Sequence, residues 1–199
     1  MKQQILTIHG GSASETYEEY LEELRTREVF LDRMRGGGWK ENLQKVLGEE
    51  YDVLLPKMPN ATNARYAEWK IWFEKIIPLL DNEIIFIGHS LGAIFLVKYL
   101  AENNCPKKIK ATMLVAPPYN TPEIHSLVDF NIETDLGKFA EQGGKIFIYH
   151  SKDDEIVPFS NCEDYQQLLP GAEFRIFEDR GHFNLAEFPE IVGDIRALK

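Results

Sequence analysis

Cysteine is scarce in this chain. Only Cys105 and Cys162 occur among 199 residues, so no disulfide framework is implied. Long apolar runs are missing as well, and nothing approaches the roughly 20 residues that span a bilayer. Positive charge is in deficit, with 22 Lys and Arg against 32 Asp and Glu, a formal net charge of −10. That balance disfavours nucleic acid and anionic membrane surfaces as partners, and it reads as a solubility feature. Gly10-Gly11 lacks the remaining glycines of a dinucleotide fingerprint and the lysine of a P-loop. No His, Cys or Asp cluster has ligand spacing, so neither a metal nor a cofactor is expected. The first strand begins near Gln3, which leaves no room for a signal peptide and makes a cytoplasmic protein the simple expectation.

What remains is ordinary globular material, 44% hydrophobic and 27% charged, long enough for one domain with one good core. Strand and helix patterns alternate, which argues for a parallel α/β sheet. Six strands are expected near 3–8, 51–55, 83–88, 111–116, 145–150 and 173–177. Helices are expected near 64–80, 91–103, 160–169 and 186–198. In the first of these, Tyr66, Trp69, Phe73, Ile76, Ile77 and Leu80 share one face and are read as core. Leu91 to Val97 is apolar nearly all round, as in a helix buried against a sheet.

The most informative residues are Gly88-His89-Ser90-Leu91-Gly92, a G-x-S-x-G pentapeptide. By composition alone, about 1 chain in 20 of this length would carry it by chance. Context narrows the odds. An apolar β-branched run, Glu83 to Ile87, precedes it, and a helical stretch from Leu91 to Asn103 follows. A serine at such a strand-to-helix turn projects its hydroxyl above the sheet, and flanking glycines avoid crowding. The helix N-terminus beside it offers free N–H groups to an oxyanion.

A serine nucleophile needs an acid and a base further on. The strand Lys145–Tyr149 runs into His150-Ser-Lys-Asp-Asp-Glu-Ile-Val-Pro158, where three carboxylates stand. After the final strand, Phe174–Phe177, comes Gly181-His182-Phe183. Of five histidines, His182 has the position and the order for a general base. His9 ends the first strand, His89 neighbours the serine but points away from it, and His150 ends the acid strand. His125 lies in a segment of low order. The chain order Ser, Asp, His is that of one hydrolase architecture and not of chymotrypsin or subtilisin.

These residues resemble an α/β-hydrolase of the small, cap-poor serine hydrolase family that includes retinoblastoma-binding protein 9. The resemblance rests on I-G-H-S-L-G-A-I at 87–94, M-P-N at 58–60 followed by Ala64, Arg65 and Trp69, S-K-D-D-E-I-V-P at 151–158, and G-H-F at 181–183. It implies a single-domain α/β-hydrolase fold: a mostly parallel six-stranded sheet, helices on both faces and a minimal cap. It also implies a triad of Ser90, Asp154 and His182 and hydrolysis of small esters through an acyl-enzyme. D-x-x-V-P is the form the acid loop takes in this fold, which selects Asp154 over the runner-up Asp153. The oxyanion donors are expected to be the N–H groups of Leu91 and Gly11, with Ser12 as alternative. Ser12, His89, Tyr119 and Phe183 are candidate substrate contacts. A protein-binding module on the same scaffold, or a peptidase or thioesterase using the same triad, are the alternatives.

Two segments stand outside the pattern. Residues 14–50 form a longer helical insertion than the family pattern, with Tyr17, Tyr20, Leu21, Leu24 and Phe30 on one face and a break at Gly36-Gly37-Gly38. It is either a lid over the pocket or a helix pair packed elsewhere. Pro117 to Gly144 is the second; its Pro117, Pro118, Tyr119 and Phe130 either wall an acyl site or pack ordinarily.

Overall fold

A computed structural model describes residues 2–29, 31, 36–120 and 127–198. The expectations for Phe30 and His125 lie outside them. Six strands form one sheet: β1 (Gln3–Ile8), β2 (Tyr51–Leu54), β3 (Glu83–His89), β4 (Lys108–Val115), β5 (Lys145–Ser151) and β6 (Glu173–Phe177). Their order is β2-β1-β3-β4-β5-β6, and every neighbouring pair is parallel. The central strands are buried on both faces, which is why Ile84 to Ile87 reads as an unbroken apolar run. β4 starts three residues before the expected Ala111, because Lys108 pairs with Glu83 across the β3–β4 ladder.

Seven α-helices are described: α1 (Tyr17–Thr26), α2 (Trp39–Leu47), α3 (Tyr66–Ile76), α4 (Leu91–Glu102), α5 (Gly137–Gln142), α6 (Ser160–Leu168) and α7 (Pro189–Ala197). Alternate residues of β3 divide them between two layers. Ile84 and Phe86 join one core with Trp69 and Phe73 of α3 and most of α4. Ile85 and Ile87 join a second with Trp39, Leu43 and Leu47 of α2 and Ile191, Val192 and Ile195 of α7. Every residue of α4 from Leu91 to Ala101 is buried. Burying a leucine or phenylalanine side chain contributes about 1.5–3 kcal/mol, so α4, together with Phe73 of α3, fastens β3 to its layer.

The insertion splits in two. α2 is a core helix, with its apolar stripe against β2 and the second core. α1 begins with a capping box between Thr16 and Glu19 and buries no residue at all. Of its expected apolar face, Tyr20 and Leu21 are half-buried, whereas Tyr17 and Leu24 stand exposed. Polar contacts hold it instead: Tyr20 Oη lies 3.2 Å from Thr62 Oγ1, and Arg27 Nη2 donates to Ser12 Oγ at 2.8 Å. Because all six strands run the same way, β1, β3, β5 and β6 deliver their carboxyl ends to one rim, where sites form in open α/β sheets.

Candidate active site

Ser90 caps β3 and opens α4 with φ 55° and ψ −124°. A non-glycine residue at such angles costs on the order of 1–3 kcal/mol and persists only where the surroundings enforce it. Here they do. The Ser90 N–H donates to Val115 O at 2.9 Å, and its carbonyl accepts from Ala93 N at 2.8 Å. The flanking glycines admit no side chain. A Cβ on Gly88 would sit 2.6 Å from Ala93 Cα, and one on Gly92 would sit 2.5 Å from His9 O. Gly10 lies against the serine, since a Cβ there would be 3.6 Å from Ser90 Oγ. Ser90 Oγ has no hydrogen-bond partner among the described residues.

Beyond β5, Asp154 is buried. Its Oδ1 accepts the N–H groups of Ile156 and Val157, both at 2.9 Å. Its Oδ2 lies 2.8 Å from His182 Nδ1. Burial alone would raise this carboxyl, but the His182 hydrogen bond and charge and the two N–H donors outweigh it and hold it below the usual range. Asp153 turns elsewhere. It is exposed, and its Oδ1 accepts from Ser151 Oγ at 2.5 Å and from the Gly181 N–H at 2.8 Å. Those two hydrogen bonds keep its carboxyl below the ordinary value.

His150 and His9 have structural partners. His150 is fully buried and donates Nε2–H to Val157 O at 2.9 Å. His9 Nε2 accepts the Met58 N–H at 2.9 Å, so its proton sits on Nδ1 and is donated to Gly10 O at 2.6 Å. In a trans peptide the N–H opposes the C=O. Gly11 N–H therefore points away from His9. Ser12 N–H is spent on Ala61 O at 2.9 Å, which leaves Gly11 rather than Ser12 free for an oxyanion. Leu91, as the first residue of α4, has an N–H without an intrahelical acceptor.

The four candidate substrate contacts are scattered. Ser12 Oγ bridges Arg27 and Thr62 O. Tyr119 is half-buried, 5.3 Å from the Tyr165 ring. Phe183 is fully buried in the second core, beside Phe177 and Phe188. His89 is buried, and its Nε2 lies 2.9 Å from His182 O. Phe130 packs on Trp69 and Tyr66. The sequence reading missed Trp39, whose Nε1–H donates to Phe183 O at 3.0 Å, and Lys40, whose Nζ lies 3.0 Å from His89 Nδ1. No local pattern marks either one; only the tri-glycine break just before them sets them apart. Among the described residues no three His, Cys, Asp or Glu side chains are grouped to hold a metal ion, and no helix is long and apolar enough to cross a membrane.

A serine at a strand-to-helix turn of a parallel sheet, followed in the chain by an acid–histidine pair, suits the α/β-hydrolases, and known proteins resemble this chain. The serine hydrolase family model covers residues 32–190, and the chain belongs to that family. YdeN of Bacillus subtilis (strain 168) is 25% identical over 185 residues, which is 92% of this chain and 87% of YdeN. Serine hydrolase RBBP9 of Rattus norvegicus is 25% identical over 162 residues, covering 81% of this chain and 84% of its own. The crystal structure of the B. subtilis ydeN gene product superposes with a TM-score of 0.74 at 22% identity, over 99% of this chain and 98% of that one. CarC, a serine hydrolase involved in carbazole degradation, superposes with a TM-score of 0.66 at 14% identity, over 98% and 90%. These neighbours share the α/β-hydrolase fold, and the chain is a hydrolase of that class.

Proposed function

We propose that the chain hydrolyses small carboxylic esters through an acyl-enzyme on Ser90. The observation that carries this reading is the Asp154–His182 hydrogen bond at 2.8 Å, on the same rim as a serine held in the strained elbow conformation. His182 Nε2 takes the Ser90 proton as Oγ attacks the ester carbon, and Asp154 fixes the tautomer that leaves Nε2 unprotonated. The tetrahedral oxyanion is held by the N–H groups of Leu91 and Gly11, and losing one such donor costs about 10²–10³ in rate. As the C–O bond breaks, His182 returns the proton to the departing alcohol. Water then repeats the sequence on the acyl-enzyme and releases the acid.

In this reading the 199 residues are one hydrolase domain with a helical insertion at about 14–50, working in the cytoplasm on a small-molecule ester. Cys105 and Cys162 remain free thiols, as suits a reducing compartment. The test is labelling by a fluorophosphonate probe together with p-nitrophenyl acetate turnover. Wild type should label and turn over. Ser90→Ala should do neither, with a loss of roughly 10³-fold or more and an unchanged fold. Wild-type turnover in the Ala variant would end the proposal, and a folded wild type that neither labels nor turns over would favour a binding module.

A further inference from the structure

We propose that Lys40 and His89 are positioning residues that set His182 through its main chain, so that the helical insertion takes part in catalysis; this rests on His182 being the base. His89 follows Gly88 out of β3 on the sheet face opposite the α3–α4 layer, beneath α2. Both its ring nitrogens are engaged. Nε2 lies 2.9 Å from His182 O, and a carbonyl can only accept, so the proton is on Nε2. In a buried neutral imidazole Nδ1 is then a lone pair, and Lys40 Nζ lies 3.0 Å from it. The chain of donation has one direction: Lys40 N–H to His89 Nδ1, His89 Nε2–H to His182 C=O. An ammonium and a neutral amine both supply the first proton, so the relay does not depend on which form Lys40 takes.

The neighbouring residue does the same work one position on. Trp39 Nε1–H donates to Phe183 O at 3.0 Å, and the Trp39 indole meets the His89 ring edge-on at 6.2 Å. Residues 39 and 40, at the start of α2, thus grip the consecutive carbonyls 183 and 182. From the β5 side, Ser151 Oγ accepts the Arg180 N–H at 2.9 Å and Asp153 Oδ1 accepts the Gly181 N–H at 2.8 Å. All four residues from 180 to 183 are held through a main-chain group by a side chain from elsewhere in the fold. The loop needs holding, because Phe183, a non-glycine residue, has φ of 54°, in the left-handed region. Three of these grips lie on residues flanking the base. Among the described residues, only the Lys40–His89 relay reaches the main chain of His182 itself. A shift of its carbonyl swings the imidazole relative to Ser90, and about 1 Å of misplacement costs on the order of 10² in rate.

The test is steady-state hydrolysis of p-nitrophenyl acetate by wild type, Ser90→Ala, His89→Leu, His89→Gln and Lys40→Met, each checked for folding by circular dichroism and thermal melting. His182 acts in both acylation and deacylation, so misplacing it should lower kcat and leave KM within about two-fold. His89→Leu should lose roughly 10²-fold in kcat and Lys40→Met roughly ten-fold. His89→Gln keeps a side-chain N–H near the Nε2 position and should recover most of the loss. A purely structural role would move the melting temperature without the kcat-only signature or the glutamine rescue. Folded His89→Leu or Lys40→Met with wild-type kcat, a loss confined to KM, or a folded His89→Gln as slow as the leucine variant would overturn the relay. If Ser90→Ala stays active, it is the triad reading that has failed.

Discussion

Asp154 and His182 meet across 28 residues of sequence, with Nδ1 2.8 Å from one carboxylate oxygen and 3.1 Å from the other. The adjacent Asp153 makes no such contact and binds the Gly181 N–H instead. Asp154→Asn should therefore cut kcat by about 10²–10⁴, because the amide favours the wrong His182 tautomer. Asp153→Asn should change it several-fold at most, since an amide oxygen can still accept the Gly181 N–H. Measuring both kcat values decides which carboxylate serves the base; the reverse ranking would assign the role to Asp153.

How much of this was legible in the sequence depends on how local the signal is. The sheet could be read because buried parallel strands such as Ile84–Ile87 are unbroken apolar runs between helical periods. Ser90, Asp154 and His182 each sit in a short motif and follow a known chain order. Lys40 and Trp39 carry no such signal, because their partners lie 49 and 144 residues away and each bond is set by tertiary packing. An apolar stripe could be read on α1, but not that it would go unburied, because a periodic pattern does not say what lies opposite. Phe183 shows the same limit, since an aromatic beside His182 reads alike whether it faces a pocket or, as here, the core.

The glycines separate packing from backbone freedom. A Cβ on Gly88 would meet main-chain atoms of Gly92 and Ala93 at 2.6 Å, and none of them is a flexible side-chain end. Gly88→Ala should cost at least about 1–3 kcal/mol, and with it several degrees of melting temperature. Gly193 lies within α7 with nothing within 4 Å of its missing Cβ. Gly193→Ala should raise stability by about 0.5–1 kcal/mol by removing unfolded-state entropy. Thermal melts of the two variants should move in opposite directions; a melt of Gly88→Ala equal to wild type would contradict the close approach of α4 to β3.

Two buried histidines give stability a pH dependence of known sign. Burial, first of all, holds both His89 and His150 below the ordinary histidine pKa; for His89 the Lys40 charge adds to it. His150 Nδ1 also has no partner among the described residues to share a proton with. The unfolded chain takes up protons as pH falls through about 6.5, while the folded chain takes them up only at lower pH. Their contribution is thus fully present above that pH and is lost as pH drops below it. Asp154, held low in the fold, adds a second loss below about pH 4, the unfolded carboxyl range. His150→Gln keeps a donor for Val157 O and cannot charge. Its melting temperature should fall less than that of wild type between pH 7 and pH 5. Parallel curves for the two proteins would show that His150 is not the neutral group described.

The last prediction concerns substrate size. Between β4 and β5 the described residues offer no cap: Phe130 and Phe139 are fully buried and pack inward with α4. Among the described residues α1, with no fully buried residue, is fastened beside the His9–Ser12 loop by the Arg27–Ser12 and Tyr20–Thr62 contacts. With the turn before it, α1 brings Glu15, Glu18, Glu19, Glu22 and Glu23 to that side of the molecule, where Arg25 pairs with Glu22 and Arg27 with Glu23. An acidic rim repels anionic lipid and anionic substrates. Turnover should therefore be greatest for neutral short-chain acyl esters, decline along a p-nitrophenyl series from acetate to palmitate, and show no rise where the substrate passes its micellar threshold. A maximum at long chains with a jump at the threshold would instead mean that α1 opens on an interface and that the site accepts lipid.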